Sequence, residues 1–308
     1  MRIFFGLALA AAVTTVGGAG VAGAQSSSRN TGDRERVDTT FALGQGGTLS
    51  VSIYAGRVNV IGASGSSVRI RGTADRDYLR MRGRNSTVSI DMEHGGHGGG
   101  ADLDITVPIG TRLVMEGFST PFSVRGVKGE ASLETLSGHI TLSDAVGKVN
   151  LESVSGNIEA ENLKGDVLAE SVSGRVTIKN VDGDVTTESV SGLVLISGAS
   201  ARRVRAETVS GSLSYDGTIE PAGDYSFTTH SGSLTLAVPN NAGATVSLET
   251  FNGSVDSDFP VTLEAGANRG DGESQFEFRI GDGRARITLE TFTGGIRIQR
   301  GSTRANRE

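Results

Sequence analysis

A glycine recurs at every ninth residue through the middle of this 308-residue chain, at Gly129, Gly138, Gly147, Gly156, Gly165, Gly174, Gly183 and Gly192, without a miss. The block Glu-Ser/Thr-Val/Leu-Ser-Gly closes every second unit, at residues 134–138, 152–156, 170–174, 188–192 and 207–211, spaced 18, 18, 18 and then 19 residues apart. Looser copies follow at 228–232, 249–253 and 290–294. Self-similarity at a fixed period restricts a chain to architectures in which each unit packs against its neighbours. With the Gly counted as position nine, apolar residues fall at positions two, four and seven, as in Ile158, Ala160, Leu163 and Val167, Ala169, Val172. Positions two and four alternate as a strand does, whereas a helix would need apolar residues at i, i+3, i+4 and i+7 and would lose about 1 kcal/mol at each Gly. The pattern predicts an all-β, single-domain β-solenoid. It is a parallel β-helix-like stack of nine-residue half-coils and 18-residue coils, with strands about 4.8 Å apart.

Each ingredient has a mechanical role in such a stack. Gly at position nine suits a corner with positive φ, which a Cβ would oppose. Positions two, four and seven are expected to point inward. About six inward residues per coil, at roughly 1.5–3 kcal/mol for each fully buried aliphatic, offset the ordering of the backbone. Position six of alternate units is a hydroxyl row, Thr135, Ser153, Ser171, Ser189, Thr208, Thr229, Thr250 and Thr291, expected to bond turn backbone or the next coil. The 45 Gly, 4 Tyr and absence of Trp fit a thin interior of small aliphatics.

Residues 1–24 read as a signal peptide: Met1-Arg2, an apolar run from Ile3 to Val16, then Ala22-Gly23-Ala24. The apolar run is shorter than the roughly 20 residues of a membrane span, so no transmembrane anchor is expected. Residues 25–36 read as a disordered leader, 37–300 as the solenoid and 301–308 as a polar tail. Within the solenoid, 37–115 are irregular first coils forming an N-terminal cap, 116–215 the regular repeats, and 216–300 looser coils with loops. An antiparallel closing element is expected around Gln275–Ile280. The absence of Cys excludes disulfides and thiolate chemistry, and the net charge of −6 argues against nucleic acid as a partner.

Three stretches together resemble the bacterial "putative adhesin" family, a group of exported proteins of unknown function. They are Asp102-Leu103-Asp104-Ile105-Thr106-Val107-Pro108 with Gly110, the serial Glu-Ser-Val-Ser-Gly blocks, and Ile280-Gly281-Asp282-Gly283 leading to Glu290-Thr291-Phe292-Thr293-Gly294. The likeness covers roughly residues 40–300. It implies a β-solenoid and an envelope location, with no catalytic residues to carry over.

Candidate chemistry is sparse. Glu134, Glu152, Glu170, Glu188 and Glu207 occupy position five, which alternation points outward. Stacked, they form an acidic stripe that reads either as a cation-responsive or cationic-partner site or as a solvated face that resists aggregation. His94 and His97, in a Gly-rich stretch, are the metal-like pair, short of the three or four ligands a site needs. Arg202, Arg203 and Arg205 make a small basic patch that reads as a solvated face. No catalytic constellation and no cofactor site is found: Gly-x-Ser-x-Gly and phosphate-loop motifs are missing, and sugar-stacking aromatics are few. The sequence therefore leads to an exported, periplasmic or surface, non-enzymatic β-solenoid that mediates cell-envelope or surface interaction with a protein or glycan. An envelope-stress sensory or regulatory binding protein is the alternative, and a glycan-active β-helix enzyme is the distant one.

Overall fold

The computed structural model describes residues 34–75, 78–84, 86–92, 100–260, 268–269 and 273–301, with backbone alone at 268–269 and 273–275. Residues 1–33, His94, His97 and the tail from 302 lie outside the described residues. Every regular element among those described is a strand, so none is a helix long and apolar enough to cross a membrane. Most strands pair in parallel, and the offset between partners is the repeat itself. Ile140 lies opposite Ile158, Ile158 opposite Val176 and Val176 opposite Val194, a step of 18 residues each time. A second ladder runs with the same step through Val149, Val167 and Val185, then through Val204. This one carries the Glu blocks and is called the acidic ladder below; the other is the companion ladder. A parallel offset of one repeat sets like upon like, so each apolar position becomes a buried row.

The two ladders bury different positions. In the companion ladder the expectation holds: Ile158, Ala160, Leu163 and Val176, Ile178, Val181 are all buried. In the acidic ladder positions two, four and six are buried, as in Val167, Ala169 and Ser171, while Val172 at position seven faces outward. The assignment of position seven to the core is therefore corrected for every second unit. The cause is local. In the companion ladder Asp144, Asn162 and Asn180 at position six take left-handed φ of 55°, 58° and 52°, which breaks the alternation and swings position seven inward. Asn162 Nδ2 donates to Asp144 Oδ1 at 3.2 Å, and Asn180 Nδ2 to Asn162 Oδ1 at 3.0 Å, tying these corners together. In the acidic ladder the strand stays extended through position six, and alternation alone decides.

The Gly corners also divide. Gly147, Gly165 and Gly183 have positive φ, as expected. Gly156 does not, and it is required for space: a Cβ there would collide with the carbonyl of Gly138 on the neighbouring strand. The position-six hydroxyls, expected to bond turn backbone or the next coil, are all buried, but the expectation holds for only two of the eight. The hydroxyls of Ser171, Ser189, Thr208, Thr229, Thr250 and Thr291 have no hydrogen-bond partner among the described residues. Thr135 Oγ1 donates to Thr120 O at 3.2 Å, and Ser153 Oγ donates to Gly138 O at 3.3 Å while accepting from Gly156 N at 2.9 Å.

Stacking order departs from chain order at both ends. The strand Thr48–Ala63 lies between strands within 87–108 and strands within 112–125. At the other end Ala285–Arg300, late in the chain, is inserted between Asp224–Val238 and Ala244–Ser257. Glu273–Ile280 then pairs antiparallel with Ala244–Thr250, the expected closing strand. Antiparallel pairs also finish the first end, where Glu35–Ala42 pairs with Ser67–Ala74 and Leu79–Arg84 with Thr87–Met92. The leader boundary is corrected accordingly. Glu35 and Arg36 pair with Ala74 and Thr73, because backbone pairing continues past Val37 without needing apolar side chains. The excursion at 217–223 is held by two buried tyrosines. Tyr215 donates to Thr218 O at 2.9 Å, and Tyr225 accepts from Glu220 N and donates to Ala201 O, both at 2.7 Å. Burial pushes both hydroxyls up from the ordinary tyrosine range.

Candidate functional site: two columns on the acidic ladder

Because positions two, four and six of the acidic ladder point inward, positions three, five and seven share its outer face. Position five assembles the five expected carboxylates into one column. Glu134 lies opposite Glu152, Glu152 opposite Glu170, Glu170 opposite Glu188 and Glu188 opposite Glu207. Glu116 extends the column at one end. Thr228 interrupts it, and Glu290 and Glu249 resume it beyond. Partial burial, then the charges of Glu152 and Glu188, raise the Glu170 carboxyl above the ordinary carboxylate range. Glu134 is raised by burial first and then by Glu152 and Glu116. Some relief is local: Asn150 Nδ2 donates to Glu152 Oε1 at 2.8 Å, and Arg205 pairs with Glu207. Arg203 is likewise paired, with Asp184 at 3.2 Å, so two members of the basic patch are already neutralised.

Position seven builds a second column directly beside the first. It begins with Tyr54 and Phe118, whose rings stack 4.7 Å apart at 10°. It continues through Leu136, Val154, Val172, Val190 and Val209, one residue past the buried hydroxyls in the same register. It ends in three stacked rings. His230 lies on Phe292 at 4.9 Å and 6°, and Phe292 on Phe251 at 4.9 Å and 3°. Phe118, Val209, Phe251 and Phe292 are 44%, 37%, 45% and 46% exposed, against near-zero exposure for the aliphatics inside. Large apolar groups left in a continuous row on a surface mark a contact face rather than scattered exposure.

Position-seven residues were assigned to the core by sequence, so this column was missed. The signal was present: alternation started at position two predicts two, four and six inward, and the hydroxyl at six is then the buried residue. Phe251, Phe292 and His230 take the same outward position in place of Val, while interior rows elsewhere accept rings such as Phe227. The row is chemically defined. Stacked rings cover one another's faces and present edges along much of the column, while the neighbouring column is anionic.

Among the described residues no group of three or more His, Cys, Asp or Glu could hold a metal ion, and the pair His94 and His97 lies outside them. No family model matches the sequence, and no curated protein matches it. Solved structures are similar in arrangement. One is a putative adhesin from Parabacteroides distasonis ATCC 8503, 11% identical over 87% of this chain and 98% of that one, with a TM-score of 0.47. A putative adhesin from Bacteroides fragilis NCTC 9343 is 10% identical over 86% and 97%, with a TM-score of 0.44. A putative lipid binding protein from Parabacteroides distasonis ATCC 8503 is 10% identical over 87% and 97%, with a TM-score of 0.33. Four of the solved structures this chain is similar to are described as a putative adhesin or a putative cell adhesion protein, the description carried by the family its sequence resembles.

Proposed function

We propose that this protein is an exported, non-enzymatic β-solenoid that binds a cell-envelope or surface component, adhesin-like, through a long outer face rather than a pocket. The observation that carries this reading is the column from Tyr54 to Phe251, a row of outward apolar side chains running beside the glutamates along the acidic ladder. The 18-residue parallel register supports the solenoid itself, because only a winding chain returns each unit to the same place on its neighbour. Such a scaffold suits binding by extended surface: its rows are rigid, evenly spaced and addressable over many coils. The export reading rests on the N-terminal 24 residues.

Pull-down from envelope extract with the exported chain tests the proposal. Retention of a glycan or a foreign surface component supports the adhesive role. Retention of a membrane signalling protein favours the regulatory alternative, and release of cleaved oligosaccharide overturns both.

A further inference from the structure

We propose that the outer face of the acidic ladder docks a cationic amphipathic polypeptide, its aliphatic side chains seated along the apolar column and its lysines or arginines along the glutamates beside it. The inference rests on the surface-binding reading above and names the chemistry of the partner. Two rows of opposite character lie on one face, separated by two positions of the same strand, about 7 Å. Ten side chains at about 4.8 Å spacing give the apolar row a length of roughly 43 Å. A helix laid along it presents a side-chain row every 5.4 Å or so, close to the ladder spacing, so about thirty residues would cover it.

Charge decides among the occupants. Glutamates opposite one another on successive strands repel, and no described cation reaches Glu134, Glu170 or Glu188 within ion-pair distance. A row of cations supplies what this column lacks. A second copy does not: turned face to face with antiparallel stacks, the same column meets itself, carboxylate on carboxylate. An anionic lipid surface is repelled in the same way. A glycan would dock on free ring faces, and the stacking of His230, Phe292 and Phe251 at 4.9 Å covers most of these.

The test uses the full exported chain and a fluorescent synthetic helix of about thirty residues, with a leucine row flanked by a lysine row. A control peptide carries Glu in place of Lys. Two surface variants, Val172→Ser with Val190→Ser and Glu170→Gln with Glu188→Gln, are checked for retained fold by circular dichroism and melting. We expect the lysine peptide to bind at least about tenfold more tightly than the control, and the valine pair to weaken it by roughly tenfold. The glutamine pair should reduce both affinity and its dependence on salt. Equal binding of the two peptides, or unchanged binding by both variants, overturns the inference, as does stronger binding to anionic phosphatidylglycerol vesicles than to the peptide. An envelope component retained equally by wild type and the valine pair overturns the inference and leaves the surface-binding reading in place. Variant-sensitive peptide binding with no envelope component retained does the reverse.

Discussion

The ring of Phe292 lies flat on that of Phe251, 4.9 Å between centres and 3° from parallel, although Phe251 precedes it by a whole excursion of chain. The contact exists because Ala285–Arg300 is inserted between two earlier segments rather than added after them. Leu289, opposite both Phe227 and Leu248, is buried by this insertion.

A late segment filling an interior slot resists fraying, unlike most chain ends. Hydrogen exchange should show Ile287 and Leu289 amides protected as well as those of Val167 and Ala169. Leu289→Ala should cost about 2–5 kcal/mol in denaturant unfolding. Protection at Ile287 resembling that of a frayed terminus would contradict the insertion.

Gly156 meets the carbonyl of Gly138 so closely that no side chain fits. Gly156→Ala must push two strands apart, and a loss of more than about 2 kcal/mol is expected. Gly44 has open space around the corresponding position and no positive φ. Gly44→Ala should therefore fall within about 0.5 kcal/mol of wild type. Thermal melting of the pair separates spatial need from general glycine loss.

Asn162 combines a left-handed φ with hydrogen bonds to Asp144 and Asn180. Asn162→Ala should cost about 1–2 kcal/mol for the backbone alone, and Asn162→Gly should recover most of that part. Equal stability of the Ala and Gly variants, measured by urea denaturation, would mean that the corner is not strained.

The acidic column should make stability depend on pH in a defined sense. Glu134 and Glu170 have folded pKa values above their unfolded ones, so the folded chain takes up these protons first. The penalty of burying these charges, and then of repulsion from the neighbouring glutamates, is present in full above the folded pKa and is relieved as pH falls through it. Asp38 acts oppositely: hydrogen bonding to Arg69 lowers its pKa, and the stabilisation it gives above the unfolded pKa is lost as pH falls through the folded one. At low salt Glu170→Gln should add about 0.2–1 kcal/mol at neutral pH, and melting should rise less on acidification than in wild type. A lower neutral melting temperature for the variant would show that the column is not a liability.

Much of this architecture was legible in order along the chain. Glycine spacing and the alternation at positions two and four are local properties, and they determined strands, an 18-residue offset and the placement of Glu134, Glu152, Glu170, Glu188 and Glu207 in one outward column. The closing strand near Gln275–Ile280 was legible for the same reason. Position seven was legible only in the acidic ladder, where alternation carried through an extended Ser such as Ser171 puts it outward; the left-handed turn at Asn162 that swings it inward in the companion ladder is a backbone choice. The sequence treated both kinds of unit alike. Only the tertiary structure separated them: the left-handed corner at Asn162 is tied by hydrogen bonds to Asp144 and Asn180, one repeat away on either side, whereas Ser171 is buried in an extended strand. The insertion of Ala285–Arg300 was likewise beyond reach: periodicity shows that a segment fits the stack, and it is the pairing of edges in three dimensions that decides which slot it fills.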